Sequence, residues 1–219
     1  MASYVFMKVL ESSAQRYDVG INMLSLGQSN RINREIVENY IAGGDKVLEI
    51  GCGTGTLAIL CAEKGASVFG FDISPQMLGI AGKKIQERDL GDRVQLSEMG
   101  ATEMDKAFSS ETFDKVVSTL VFSELYSDEQ KYVLGEAYRV LTHGGLIVIA
   151  DEVRPNSLAK RIVQLLVRIP LIVITYIVTQ TSTKALKGIE NAIAGAGFEI
   201  VHQERRLFDS FGLYVARKG

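Results

Sequence analysis

The chain has 219 residues, of which 47% are hydrophobic and 23% charged, and its formal net charge is −2. That length suits one α/β domain with its own core and is short for two, and the near-neutral balance leaves no basic face for nucleic acid. The two cysteines, Cys52 and Cys61, have no Cys or His partner at metal-ligand spacing, which argues against a disulfide framework or a metal centre and fits a reduced, cytoplasmic setting. The stretch Met1–Leu10 lacks the charged and apolar regions of a secretion signal.

In chain order, residues 1–43 read as a lead-in that becomes helical over 30–42, where Ile32, Ile36, Val37 and Tyr40 share one side and Gly43-Gly44 ends the helix. Lys46–Ile50 is a buried strand. A glycine-rich turn follows, then a helix over Thr56–Lys64. Ser67–Phe71 is a second strand ending at Asp72. Ser74 caps the next helix and Pro75 suits its first turn, with the end near Arg88. Arg93–Ser97 and Phe113–Ser118 are strands, Ser127–Leu141 is an amphipathic helix, and His143-Gly-Gly145 is a turn before the strand Leu146–Ala150. A helix over Thr183–Ala196 precedes two last strands, Phe198–Gln203 and Phe211–Arg217. Strands alternating with helices imply a parallel sheet with right-handed crossovers.

The turn Glu49-Ile-Gly-Cys-Gly-Thr-Gly55 lies between a strand and a helix. Glycines let a ligand approach the backbone, and the helix N-terminus presents free N–H groups. Asp72, at the end of the next strand, is placed to accept hydrogen bonds from ribose hydroxyls. Glycine spacing alone leaves a nicotinamide dinucleotide open, because Gly53, Gly55 and Ala58 make a tolerated variant of that fingerprint. Glu49 weighs against it: an acid two residues before Gly51 repels a pyrophosphate and favours a ligand carrying an amine and a sulfonium.

Here the sequence resembles the class I methyltransferases that use S-adenosylmethionine (SAM). Val47-Leu-Glu-Ile-Gly-Cys-Gly-Thr-Gly55 is similar to their first motif, Phe71-Asp-Ile-Ser-Pro-Gln-Met77 to the second, Phe113-Asp-Lys-Val-Val-Ser-Thr119 to the fourth, and Tyr138-Arg-Val-Leu-Thr-His-Gly-Gly145 to the turn before strand five. Arg16-Tyr-Asp18 and Leu24-Ser-Leu-Gly27 resemble the lead-in of the ubiquinone/menaquinone-biosynthesis type. Residues 146–183 resemble, more loosely, corrinoid-protein-associated methyltransferases. The resemblance implies a single Rossmann-like, doubly wound domain over 1–219, with a mostly parallel seven-stranded sheet and an antiparallel strand near the C-terminus. It implies SAM as cofactor, S-adenosylhomocysteine as product and a small, hydrophobic acceptor.

By the same resemblance Gly51, Gly53 and Thr54 line the methionine part of SAM and Glu49 orients it. Asp72 holds the ribose, and Ile73 and Met77 flank the adenine, although core packing explains Met77 as well. Ala101 offers its backbone N–H to adenine and Thr119 stands near the sulfonium. One departure is Gly100, where the family often has an acid facing the adenine amino group; Glu98 and Glu103 are the candidate substitutes. No metal is implied. A base is needed only if the acceptor loses a proton, and the candidates are Glu124, Tyr126, Asp151, Glu152 and, in the lead-in, Tyr17. His143 and His202 read as structural or solvated. Ser118–Phe122 lacks the Asn/Asp-Pro-Pro-aromatic pattern of nucleobase methylation, so DNA and RNA are not expected acceptors.

Residues 157–181 are more apolar than a surface connection needs. Arg161, Gln164, Arg168 and Thr175 make a narrow polar stripe at helical spacing, and Arg168 and Pro170 interrupt what would otherwise approach a membrane span. A helical insertion covering the acceptor or forming a homodimer surface is expected, with peripheral contact at a membrane surface as the competing reading. A second functional class also stays open: a SAM-binding partner or regulatory protein serving a corrinoid protein, with weak or no transfer activity.

Overall fold

The computed structural model describes residues 28–154, 185–207 and 209–219. Helix α1 spans Gln28–Tyr40, strand β1 Lys46–Ile50, α2 Thr56–Glu63, β2 Ser67–Asp72, α3 Pro75–Glu87 and β3 Val94–Glu98. A 3-10 turn at Ala101–Glu103 leads into α4, Met104–Ala107, then β4, Phe113–Thr119, α5, Ser127–Val140, and β5, Leu141–Glu152. The chain closes with α6, Ile189–Gly195, β6, Phe198–Arg206, and β7, Phe211–Lys218.

The seven strands form one sheet in the order β3-β2-β1-β4-β5-β7-β6. The first five are parallel, and β7 runs antiparallel between β5 and β6. This is the Rossmann-like, doubly wound architecture. Alternate residues of each strand serve opposite faces. Val47, Val68, Val117 and Val148 pack with Ile32, Ile36, Leu57 and Ile85 under α1, α2 and α3. Leu48, Ile50, Val116, Ile147 and Ile149 pack with Val133, Leu134, Ala137, Ile189 and Ile193 under α5 and α6. β1 is buried at every position but its first, as a central parallel strand requires.

Two details depart from the sequence reading. The His143–Gly145 turn lies inside β5 rather than ahead of it. Leu141 already pairs with Phe113, and pairing resumes at Leu146 opposite Lys115, so the intervening residues bulge. Gly144 has φ +76°, and a side chain at Gly145 would meet the Asp114 carbonyl oxygen at 3.0 Å. The late helix is also shorter than Thr183–Ala196. Leu186 is committed to pairing: its N–H donates to the Glu152 carbonyl at 2.9 Å, and its carbonyl accepts from Arg154 N–H at 3.0 Å. The helix begins only after Gly188, which is left-handed at φ +64°.

Side chains fasten the helices to the sheet. Lys64 Nζ caps the end of α1 by donating to the carbonyls of Val37 and Glu38 at 2.8 and 2.9 Å. Arg206 of β6 grips Glu35 of α1 through two hydrogen bonds of 2.6 Å, the bidentate geometry that makes an arginine–carboxylate pair strong. Among the described residues no helix is long and apolar enough to cross a membrane. The proposed insertion at 157–181 and Tyr17 lie outside the described residues.

Candidate cofactor and transfer site

The strand order reverses between β1 and β4, and in open α/β sheets the crevice beyond the strands' carboxyl ends at that point is where ligands bind. The glycine turn forms one wall. Gly51, Gly53 and Gly55 have φ of +68°, +50° and +74°, a region that costs other residues roughly 1–2 kcal/mol each. Gly51 is also sterically required, because a Cβ there would fall 2.3 Å from Val121 Cγ2. At Gly53 a Cβ would meet nothing within 4 Å, so this glycine opens onto space. The turn is anchored where Cys52 N–H donates to the Phe71 carbonyl at 2.9 Å.

Asp72 ties the turn to β2. Its Oδ2 accepts from Gly53 N–H at 2.8 Å and its Oδ1 from Ser74 N–H at 2.9 Å. Carboxylate oxygens have capacity for more than one donor, so both can still receive hydroxyls. Ser74 caps α3 as expected, accepting from Met77 N–H at 3.4 Å.

Glu49 is a buried acid of the core; Asn33 Oδ1 and Ser123 Oγ are likewise buried without a partner among the described residues. Glu49 sits on the central strand opposite Gly70 and Val117, only 2% exposed. Burial, with a further push from the Asp72 charge, raises its pKa to about 8 against the pull of the Ala58 backbone amide. Its Oε2 has no hydrogen-bond partner among the described residues. A buried polar atom left unpaired needs an explanation, and a cationic ligand supplies one.

The remaining predicted contacts divide. Ile73 is 77% exposed, an apolar side chain with no core to fill, whereas Met77 is buried in packing at 4%. Both the hydroxyl and the carbonyl of Thr54 point to α3, where Lys84 Nζ donates to them at 3.0 and 3.1 Å. Ala101 begins the 3-10 turn. Beside it, Glu103 Oε2 accepts from Gly100 N–H at 2.8 Å and would lie 3.3 Å from any Cβ at Gly100. A carboxylate from three residues along thus stands where the sequence lacks one. Thr119 ends β4 opposite Ala150.

The β4–β5 wall is built from acids. Asp151 is 1% exposed; its Oδ2 accepts from Ser123 N–H at 3.1 Å and its Oδ1 from Glu152 N–H at 2.7 Å. Burial raises its pKa to about 6, against the hydrogen bonds from Ser123 and Glu152. So enclosed, it braces the loop after β4 through Ser123. Glu124 is exposed on the loop after β4, and its pKa is raised, first from lost solvation and then from the charges of Asp151 and Asp72. Tyr126 is exposed at the start of α5, where its N–H donates to Glu129. His143 is exposed at the opposite end of the sheet, and His202 lies on β6 against Tyr40. Among the described residues no group of His, Cys, Asp or Glu could hold a metal ion. The sequence reading missed Val121, Ser123 and Lys84, which meet Gly51, Asp151 and Thr54 only through tertiary contact.

Residues 47–145 match the family described as "Methyltransferase domain". The fold is that of the class I SAM-dependent methyltransferases. A demethylmenaquinone methyltransferase of Thermus thermophilus is 36% identical over 141 residues, covering 63% of this chain and 61% of that protein. The chain spans 59–63% of the length of the curated relatives bearing that name. A SAM-dependent methyltransferase of Methanosarcina mazei superposes with TM-score 0.64 at 20% identity, covering 84% of this chain and 96% of that one. The SpnF cyclase superposes with TM-score 0.70 at 20% identity, covering 86% and 80%. One methyltransferase scaffold therefore carries more than one chemistry, and function has to be argued from the site.

Proposed function

We propose that the protein is a SAM-dependent methyltransferase acting on a small, hydrophobic acceptor. The observation that carries the cofactor is Glu49 Oε2, a buried carboxylate oxygen without a partner among the described residues, beside a turn of three left-handed glycines. The residues fit the group: an anion for the amine, glycine backbone for the methionine arm, Asp72 for the ribose hydroxyls and exposed Ile73 for one face of the adenine. SAM, when bound, supplies an electrophilic methyl carbon whose bond to sulfur breaks as the acceptor attacks in line.

The chain's own residues then have three tasks. The turn and Asp72 hold the donor in one orientation, and orientation can supply much of the acceleration. Val121 and Thr119 wall the crevice between donor and acceptor. Glu124, a carboxylate with a raised pKa on the loop after β4, is the group we assign to receive a proton where the acceptor must lose one. A hydrophobic acceptor is supported by the demethylmenaquinone methyltransferases among the relatives and by the apolar composition of residues 161–178.

Calorimetry with SAM and with NAD tests the cofactor; binding of NAD and not SAM overturns the reading. Incubation with methyl-labelled SAM and a cell extract tests transfer and identifies the acceptor. The second reading is a SAM-binding protein serving a corrinoid protein, with weak or no transfer activity. Release of S-adenosylhomocysteine with any acceptor argues against it.

A further inference from the structure

The back of the glycine turn carries a contact that the site described above does not use. α3 begins next to Asp72 and Ile73, then passes behind the turn in its second half. Two of its residues, three apart and so on one face, meet the turn there. At Ala81 the approach is close: a Cβ on Gly55 would fall 2.9 Å from Ala81 Cβ. At Lys84 it is polar: Nζ donates to the Thr54 carbonyl at 3.1 Å and to the Thr54 hydroxyl at 3.0 Å. Thr54 is 6% exposed.

We propose that Lys84 is a positioning residue for the methionine end of the cofactor, acting through Thr54; this rests on the SAM reading. Three left-handed glycines within five residues give the turn wide conformational freedom, so its own sequence does not select one shape. Contacts from outside must select it. Asp72 fixes the Gly53 N–H on the strand side. Lys84 fixes the carbonyl of the next residue, Thr54, on the helix side. Together they orient the successive peptides of the turn, and with them the backbone that meets the methionine arm. Such preorganisation raises affinity by lowering the ordering cost of binding. Lys84 also links the helix that follows the adenosine-binding end of β2 to the turn, so the two halves of the cofactor site keep one spacing.

The test uses the full chain and two ligands, SAM and 5′-methylthioadenosine, which keeps the adenosine and sulfur but lacks the amino-acid arm. Lys84→Met keeps the apolar stem and removes the donors. Its SAM affinity is expected to fall about tenfold, the scale of one or two hydrogen bonds lost, while its methylthioadenosine affinity stays within about twofold. Lys84→Arg, which restores donors, should recover most of the SAM affinity. Thr54→Val, which keeps the carbonyl and removes the hydroxyl, should weaken SAM by a smaller factor, also without affecting methylthioadenosine. This second variant decides the matter should Lys84→Met fail to fold. Unchanged SAM affinity in the Lys84 and Thr54 variants overturns the proposal, as does a parallel loss for both ligands, which marks general loosening of α3. Wild-type protein that binds no SAM overturns the cofactor reading and this inference together, whereas wild-type binding with unaffected variants overturns this inference alone.

Discussion

On the β1–β2 side of the crevice the turn is mostly backbone. Gly51, Gly53 and Gly55 supply the shape, and Asp72 and Lys84 hold it from either side. On the β4–β5 side the wall is side chains on a loop, held by Asp151 reaching back to Ser123 N–H. The first arrangement presents backbone amides whose orientation is held by Asp72 and Lys84. The second leaves Val121, Glu124 and Tyr126 open to exchange without disturbing a strand. Under the proposed function, the contrast assigns donor recognition to the strand–turn–helix unit and acceptor recognition to the braced loop after β4. The two meet where Val121 Cγ2 covers Gly51, which makes that contact the seam between them.

The seam should break first. Gly51→Ala adds a methyl that collides with Val121 in a left-handed backbone and should cost about 2–5 kcal/mol in thermal unfolding. Gly53→Ala, open to space, should cost only about 1–2 kcal/mol from its backbone angle. Equal losses at both positions would mean that Val121 does not press on the turn.

Removing the brace comes next. Asp151→Ala leaves the N–H groups of Ser123 and Glu152 without their acceptor and should destabilise the chain by about 2–3 kcal/mol. Asp151→Asn isolates the charge. The folded pKa is raised from 3.8 to about 6, so the stability contributed by the neutral form is complete below 3.8 and is lost as pH rises through 6. Thermal melts between pH 4 and 7 should therefore fall more steeply for wild type than for Asp151→Asn; parallel slopes would contradict the assignment.

Glu49→Gln tests the donor side, with the smallest effect on stability and the opposite sign. Ionised Glu49 opposes folding, because its raised pKa makes the contribution of the neutral form complete below 4.5 and lost as pH rises through about 8. The apo variant should be more stable than wild type by about 1–2 kcal/mol near pH 8, yet bind SAM more weakly. Calorimetry of SAM binding at pH 7 in buffers of different ionisation heat should show about one proton released by wild type, as Glu49 ionises against the cation. Release of the same proton by Glu49→Gln would show that another group titrates.

Much of this architecture was legible in the sequence because it is local. Strand ends, the Ser74 cap and the glycine turn are written in consecutive residues, and Glu49 and Asp72 follow from their places at strand ends. The bulge in β5 was not legible: Gly144 and Gly145 mark a bend equally well before a strand or within one. The shorter α6 was hidden because the pairing of Leu186 with Glu152 and Arg154 depends on a neighbour more than thirty residues back. The same holds within the site. Lys84 meets Thr54 across 30 residues and Asp151 meets Ser123 across 28, distances that acquire meaning only once the strand order is known. Glu103 illustrates a milder case, since its position three residues after Gly100 permits the contact but the 3-10 turn creates it.

The Arg206–Glu35 grip joins residues 171 apart, one in the first described helix and one in the sixth strand. During synthesis the amino-terminal part of a chain emerges first, so α1 waits through five strands before its partner exists. Loop closure over that span carries an entropic cost, so the clasp is expected to close late in folding, once β6 lies beside β7. It reports completion of the sheet, and its loss should accelerate unfolding with little effect on the rate of folding.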